Sequence, residues 1–153
     1  MQKIVVLAVG GLKEKYWRDA ISEYEKRLKT LCAFEIIELA ESKAEGAAAI
    51  DDEGRRILQK IPPGFAVVPL CIEGKELSSP ELADYLQKSA INGKSGECFI
   101  IGGSWGLSDE VKSKADLKLS FSRMTFPHQL FRVMLTEQIY RAYMISAGSK
   151  YHK

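Results

Sequence analysis

Residues 99–144, FIIGGSWGLSDEVKSKADLKLSFSRMTFPHQLFRVMLTEQIYRAYM, decide the fold. An apolar run from Phe99 stops at Gly102-Gly103. A second short run, Leu117 to Phe121, breaks at Pro127, and a helical pattern follows from Gln129 to Ala147. Two strand ends and one helix start thus lie close together. In an open parallel sheet, ligands bind at the carboxyl ends of strands beside helix starts. This stretch is therefore expected to be a ligand cradle supported by the rest of the chain.

Working outward, Lys3 to Val9 is a nearly continuous β-branched run, suited to a strand buried on both faces. Lys13 to Leu31 carries Tyr16, Trp17, Ala20, Ile21, Tyr24, Leu28 and Leu31 at helical spacing. Phe34 to Leu39 reads as a second strand. Ala44 to Ile61 has a helical pattern with a polar, alanine-rich start, so Glu41 to Asp52 also fits a loop. After Pro62-Pro63-Gly64, Phe65 to Ile72 is a third strand, irregular or near an edge at Pro69, which has no N–H to donate. Glu73-Gly74-Lys75 reads as a turn. Ser79-Pro80-Glu81 starts a helix, with Ser79 as the capping hydroxyl and Leu82, Tyr85, Leu86 and Ile91 as its buried face. Glu97 to Ile101 is a fourth strand, Ser108 to Ala115 a short helix capped by Ser108, and Leu117 to Phe121 a fifth strand. Strand and helix alternate throughout, so the class is α/β, with a mainly parallel five-stranded sheet and helices on both faces. The last helix is apolar over much of its circumference, and a second copy of the chain is the expected cover for what the sheet leaves open.

The 153 residues fit a single domain, 1–153, with 46% hydrophobic and 27% charged residues, as in a soluble globular protein. The apolar runs are too short to span a membrane, and the N-terminus reads as a strand and not a signal peptide. Cys32, Cys71 and Cys98 form no CxxC pair, which suits reduced, buried thiols in a cytoplasmic protein. These scattered cysteines and two histidines make no metal site. Five Lys or Arg residues face Glu137 alone from Phe121 onward, a balance of +4 against −2 for the first 120 residues. That segment suits either an anionic partner or a helix whose cationic end complements its dipole.

Each candidate group has two readings. Gly102-Gly103-Ser104-Trp105-Gly106 is neither a Walker A loop nor GxGxxG. It either lets a ligand approach the main chain or is a plain strand-to-helix turn. In Ser122-Arg123-Met124-Thr125-Phe126-Pro127-His128, hydroxyls and main chain suit the edge of a base, and Met124 and Phe126 suit the faces of a flat ring. The alternative is a simple connecting loop. His128, just inside a positive helix end, is either a neutral general base or a surface side chain. Glu137 and Arg141 are spaced to pair on the helix surface. Lys150-Tyr151-His152-Lys153 either frays or offers rings and cations to RNA.

Taken together, the segments KIVVLAVGGLKEKYW, VVPLCIEGKELSSPELA, FIIGGSWGLSDEV, LSFSRMTFPHQLFRVMLTEQIYRAYMI and the ending YHK resemble the ribosomal RNA large subunit methyltransferase H family of the SPOUT superfamily. The likeness covers nearly the whole chain. It implies transfer of a methyl group from S-adenosylmethionine to N3 of a pseudouridine in the helix 69 loop of 23S rRNA, on the assembled ribosome. It also implies a homodimer, no membrane association and a C-terminal half tied in a trefoil knot, which connection rules alone would not propose. By motif, the cofactor residues are Leu70, Gly103, Ser122, Arg123, Met124, Thr125, Phe126 and Pro127. S-adenosylmethionine brings its own electrophile, so no metal is required, and His128 is the candidate base for the N3 proton. Arg141, Tyr151 and His152 would complete the site of the partner subunit. Two positions depart from the family pattern. Trp105 stands where other residues are usual, and Lys150 replaces a proline before Tyr-His, giving a freer, more basic tail. The competing functions are a non-catalytic RNA-binding dimer of the same fold and an ordinary nucleotide-binding domain with no RNA partner.

Overall fold

The computed structural model describes residues 1–153. Five strands, β1 (Lys3–Val9), β2 (Ala33–Leu39), β3 (Ala66–Glu76), β4 (Gly96–Ile101) and β5 (Leu119–Ser120), form one sheet in the order β2-β1-β4-β3-β5. Every pairing is parallel. The helices are α1 (Lys15–Leu28), α2 (Gly46–Lys60), α3 (Ser79–Ile91), α4 (Asp109–Ser113) and α5 (His128–Ser146).

The period-two alternation of the strands divides the core. Ile4, Val6, Ala8, Val68, Phe99 and Ile101 point to one face, where they meet Leu28 of α1, Leu82 and Leu86 of α3, and Leu135 and Ile139 of α5. Val5, Leu7, Val67, Cys98 and Ile100 point to the other, against Ile57 of α2 and Val111 of α4. Helices therefore cover both faces, and the central strands need apolar residues throughout, as in the β1 run. No helix is long and apolar enough to cross a membrane.

Pro69 forms the last pair with β4, opposite Ile100, and Leu70 begins the pairing with β5. Its missing N–H thus falls where the strand changes partners, and the irregularity expected there is present as a register shift between Leu70 and Lys75. Four expectations need correction. Glu73-Gly74-Lys75 is not a turn. The strand continues to Glu76, and a Cβ on Gly74 would lie 2.8 Å from main-chain atoms of Lys118 and Leu119, so this glycine marks the close crossing of two backbones. Glu41 to Asp52 is loop only in its first part, because α2 begins at Gly46 and buries Ala49. The cap of α3 is Ser78, one residue earlier than expected. Its hydroxyl accepts from the Glu81 N–H at 3.2 Å while the Glu81 carboxylate accepts from the Ser78 N–H at 3.2 Å, a reciprocal pair that Ser79 cannot make. Ser79 instead donates to Gln138 Oε1 at 2.6 Å. Ile91 is 82% exposed. At about 100° per residue it sits roughly opposite Leu82 on the helix.

Candidate active site

The middle of β3, the ends of β4 and β5 and one helix start converge on a cavity of about 360 Å³. β3 brings Leu70, 9% exposed, and then Glu73. β4 ends in Gly102-Gly103, and the next residues close a tight loop, with Gly106 N–H donating to Gly103 O at 3.0 Å. A Cβ on Gly103 would lie 2.8 Å from Glu53 Oε1 and 3.1 Å from Val9 Cγ1, so packing from behind holds this loop to glycine.

The segment after β5 makes the opposite wall. Ser122 Oγ accepts from the Met124 N–H at 3.0 Å, which tightens the loop and leaves the Ser122 hydroxyl proton free for a ligand. Phe126 meets Phe131 edge-on with ring centroids 6.0 Å apart, and Phe131 in turn packs on Phe121 at 5.0 Å. These rings give the wall an apolar body. Met124 and Trp105, 72% and 51% exposed, stand at the mouth. Pro127 caps α5 with φ −57° and ψ 140°, and His128 is the first helical residue. Of the expected cofactor residues, Leu70, Gly103, Ser122, Met124, Thr125 and Phe126 line this cavity together with His128. Arg123 is exposed on the same loop without lining it, and Pro127 lines a neighbouring cavity.

Arg141, Tyr151 and His152 gather elsewhere. Arg141 donates to Glu137 Oε1 from Nε at 3.0 Å and from Nη2 at 2.8 Å. The Tyr151 hydroxyl donates to the same oxygen at 3.1 Å. The guanidinium lies 4.7 Å from the Tyr151 ring centroid, and its Nη1 reaches His152 Nδ1 at 3.1 Å. Glu137 thereby raises the guanidinium pKa above its ordinary value, while desolvation and the same carboxylate raise that of the Tyr151 phenol. The tail is thus folded onto α5 of its own chain. From His128 to Arg141 is thirteen residues of helix, roughly 20 Å. The tail cluster and the cavity are therefore separate places within one chain.

Sequence reading missed one feature of the cavity. Lys112 Nζ and Glu73 Oε1 pair at 2.6 Å at its edge. The ammonium holds the Glu73 carboxyl below the usual range, and the carboxylate raises Lys112. The only signal for it was Glu73, which the turn reading set aside. Beside it, burial pushes up the Cys71 thiol. No group of three or more His, Cys, Asp or Glu side chains is arranged to hold a metal ion.

Three comparisons bear on this arrangement. A family profile described as "Predicted SPOUT methyltransferase" matches residues 2–152. The "Ribosomal RNA large subunit methyltransferase H" of Bacillus pumilus is 53% identical over 157 aligned positions, covering 98% of this chain and 99% of the relative. The protein of the same name from Clostridioides difficile is 52% identical over the same shares. Among solved structures, a probable methylase family protein from Haemophilus influenzae superposes with a TM-score of 0.52 at 12% identity, covering 99% of this chain and 70% of that one, a likeness of fold. The cavity at the strand ends and the match along the full length agree: the chain belongs to the SPOUT methyltransferase family and, within it, to the ribosomal RNA large subunit methyltransferases H.

Proposed function

We propose that this chain methylates N3 of a pseudouridine in the helix 69 loop of 23S rRNA, on the assembled ribosome, with S-adenosylmethionine as methyl donor. It acts as a cytoplasmic homodimer whose C-terminal half is knotted. One observation carries the reading. Six of the eight residues expected around the cofactor share a cavity with His128, while the residues expected to hold RNA stand at the far end of α5.

The residues present fit the donor. A volume of about 360 Å³ lies within the usual range for small-molecule sites. Leu70, Met124 and Phe126 offer apolar surface to the adenine, and Ser122 offers a hydroxyl proton. Lys112 and Glu73 present opposite charges that suit the carboxylate and ammonium of the methionine end. The cofactor supplies an electrophilic methyl group on a sulfonium.

The protein's task is to place N3 and remove its proton. Forming the N–C bond leaves N3 with one proton too many for a neutral product. His128 accepts that proton on an imidazole nitrogen and releases it to water. Its position as the first residue of α5, behind Pro127, fixes where the ring stands relative to the cavity. The exposed guanidinium of Arg123 meets RNA phosphate beside the opening. Arg141, Tyr151 and His152 of one protomer complete the site of the other, since roughly 20 Å of helix parts them from their own cavity. Mass spectrometry of helix 69 from a strain lacking this gene tests the assignment. The methyl mark should vanish and return with the gene, and its persistence would overturn the substrate. Calorimetry should show S-adenosylmethionine binding, and none at concentrations near millimolar would overturn the donor.

A further inference from the structure

Six large hydrophobic side chains stand exposed in the chain, and three of them, Ile72, Trp105 and Met124, line the cavity at the ends of β4 and β5. They come from separate places: Ile72 from β3, Trp105 from the loop after β4 and Met124 from the loop after β5. Their exposures are 51%, 51% and 72%. Single exposed apolar residues need no explanation, but three that converge on one opening mark a surface that something covers.

Trp105 is the largest of the three, and its main chain is held. Gly103 and Gly106 pair across a two-residue turn, with Gly106 at φ +91°, which puts Ser104 and Trp105 at the tip. The indole belongs to none of the chain's aromatic pairs, whereas Trp17 meets Tyr16 edge-on with centroids 4.9 Å apart. A fixed turn thus carries an unpartnered ring at the mouth of the cavity. A volume of about 360 Å³ lies near the lower end of the range for small-molecule sites, roughly 300–1,000 Å³, so a ligand that joins a nucleoside to an amino acid fills it to the opening. None of the three rim residues is charged, and Lys112, the one Lys or Arg that lines the cavity, is paired with Glu73 at 2.6 Å. A nucleic-acid strand needs free cations beside its stacking rings. The rim therefore suits the small ligand inside the cavity and not a polynucleotide laid across it.

We infer that Trp105, flanked by Ile72 and Met124, covers the solvent-facing surface of bound S-adenosylmethionine and slows its escape. This rests on the donor site proposed above and adds a binding residue to it. Methyl transfer removes one carbon and the sulfonium charge and leaves the rest of the molecule unaltered. The covered surface is thus common to donor and product, and Trp105 holds S-adenosylhomocysteine as well. An apolar cover acts on residence more than on encounter, so its removal shows in the dissociation rate.

The chain has two tryptophans, so Trp17→Phe leaves Trp105 as the sole indole reporter. Without RNA, S-adenosylmethionine and S-adenosylhomocysteine should each shift its emission to shorter wavelength. The wild type should show the same shift and Trp105→Phe should lack it, a comparison that stands even where Trp17→Phe fails to fold. In surface-plasmon measurements Trp105→Ala should release S-adenosylmethionine about ten-fold faster, with the association rate changed by less than about three-fold. An emission that both ligands leave unchanged while calorimetry shows them bound, or an unchanged release rate, would overturn the inference and leave the proposed activity standing. So would a shift that appears only when ribosomes are added, which puts the ring against RNA, or one given by S-adenosylmethionine alone, which puts it against the sulfonium charge. A wild-type dimer that binds no S-adenosylmethionine in calorimetry overturns the donor site, and this inference with it.

Discussion

Gly103 has no room for a methyl group. A Cβ there would meet Glu53 Oε1 at 2.8 Å and Val9 at 3.1 Å, on the side away from the cavity. We expect Gly103→Ala to destabilise the fold by about 1–3 kcal/mol in urea titrations, because the buried Glu53 carboxylate and Val9 must give way, and to weaken S-adenosylmethionine binding where the wall instead moves into the cavity. Unchanged affinity would show that the glycine serves packing alone. A second residue sets a pH dependence. Glu97 is fully buried on β4, and burial pushes its carboxyl up from 4.5 to about 7, with the Tyr85 hydroxyl donating to Oε2 at 3.2 Å. Between those values the folded state holds a proton that the unfolded chain has released. This contribution to stability is thus full below about 4.5 and is lost as pH rises through about 7. Glu97→Gln should flatten that slope and raise stability at pH 8, by an amount on the order of 3 kcal/mol. A variant as pH-sensitive as the parent would point to another group.

Helix α3 shows how a single cap sets an element. Ser78 and Glu81 satisfy each other's N–H groups, and Ser78→Ala should lower stability by about 1 kcal/mol while Ser79→Ala spares the cap. Equal thermal shifts for the two would contradict the assignment. The same element marks what a sequence can and cannot reveal. The strand-helix alternation, the apolar runs of β1 and β4, the Ser108 cap and nearly all of α5 were legible because their signals are local. Gly74 was not, because glycine at a turn and glycine under a crossing strand look identical until Lys118 and Leu119 are placed above it. The cavity followed from the strand ends and from the resemblance. The Glu73–Lys112 pair at its edge joins residues 39 positions apart, and no local pattern contains it.

At the scale of the molecule, the basic segment from Phe121 to Lys153 carries a balance of +4 on an otherwise slightly acidic chain. We expect KM for ribosomes to rise steeply with salt while affinity for S-adenosylmethionine changes little, since only the former depends on phosphate contacts. Removing Tyr151 to Lys153 should abolish methylation and spare both cofactor binding and dimerisation. Mixing that truncated chain with a His128→Ala chain should restore activity, because one of the two mixed sites then has an intact cavity and an intact tail. Failure of the mixture, with each parent folded and dimeric, would mean that cavity and tail act within one protomer.

Helix α5 carries His128 at its first turn and Arg141, the anchor of the tail, thirteen residues later, with no proline or glycine between them. It therefore works as a ruler. One inserted residue between His128 and Arg141 would swing the tail by roughly 100° and lengthen the reach by about 1.5 Å. The number of residues between His128 and Arg141, and not only their identity, therefore sets where the tail stands relative to the cavity.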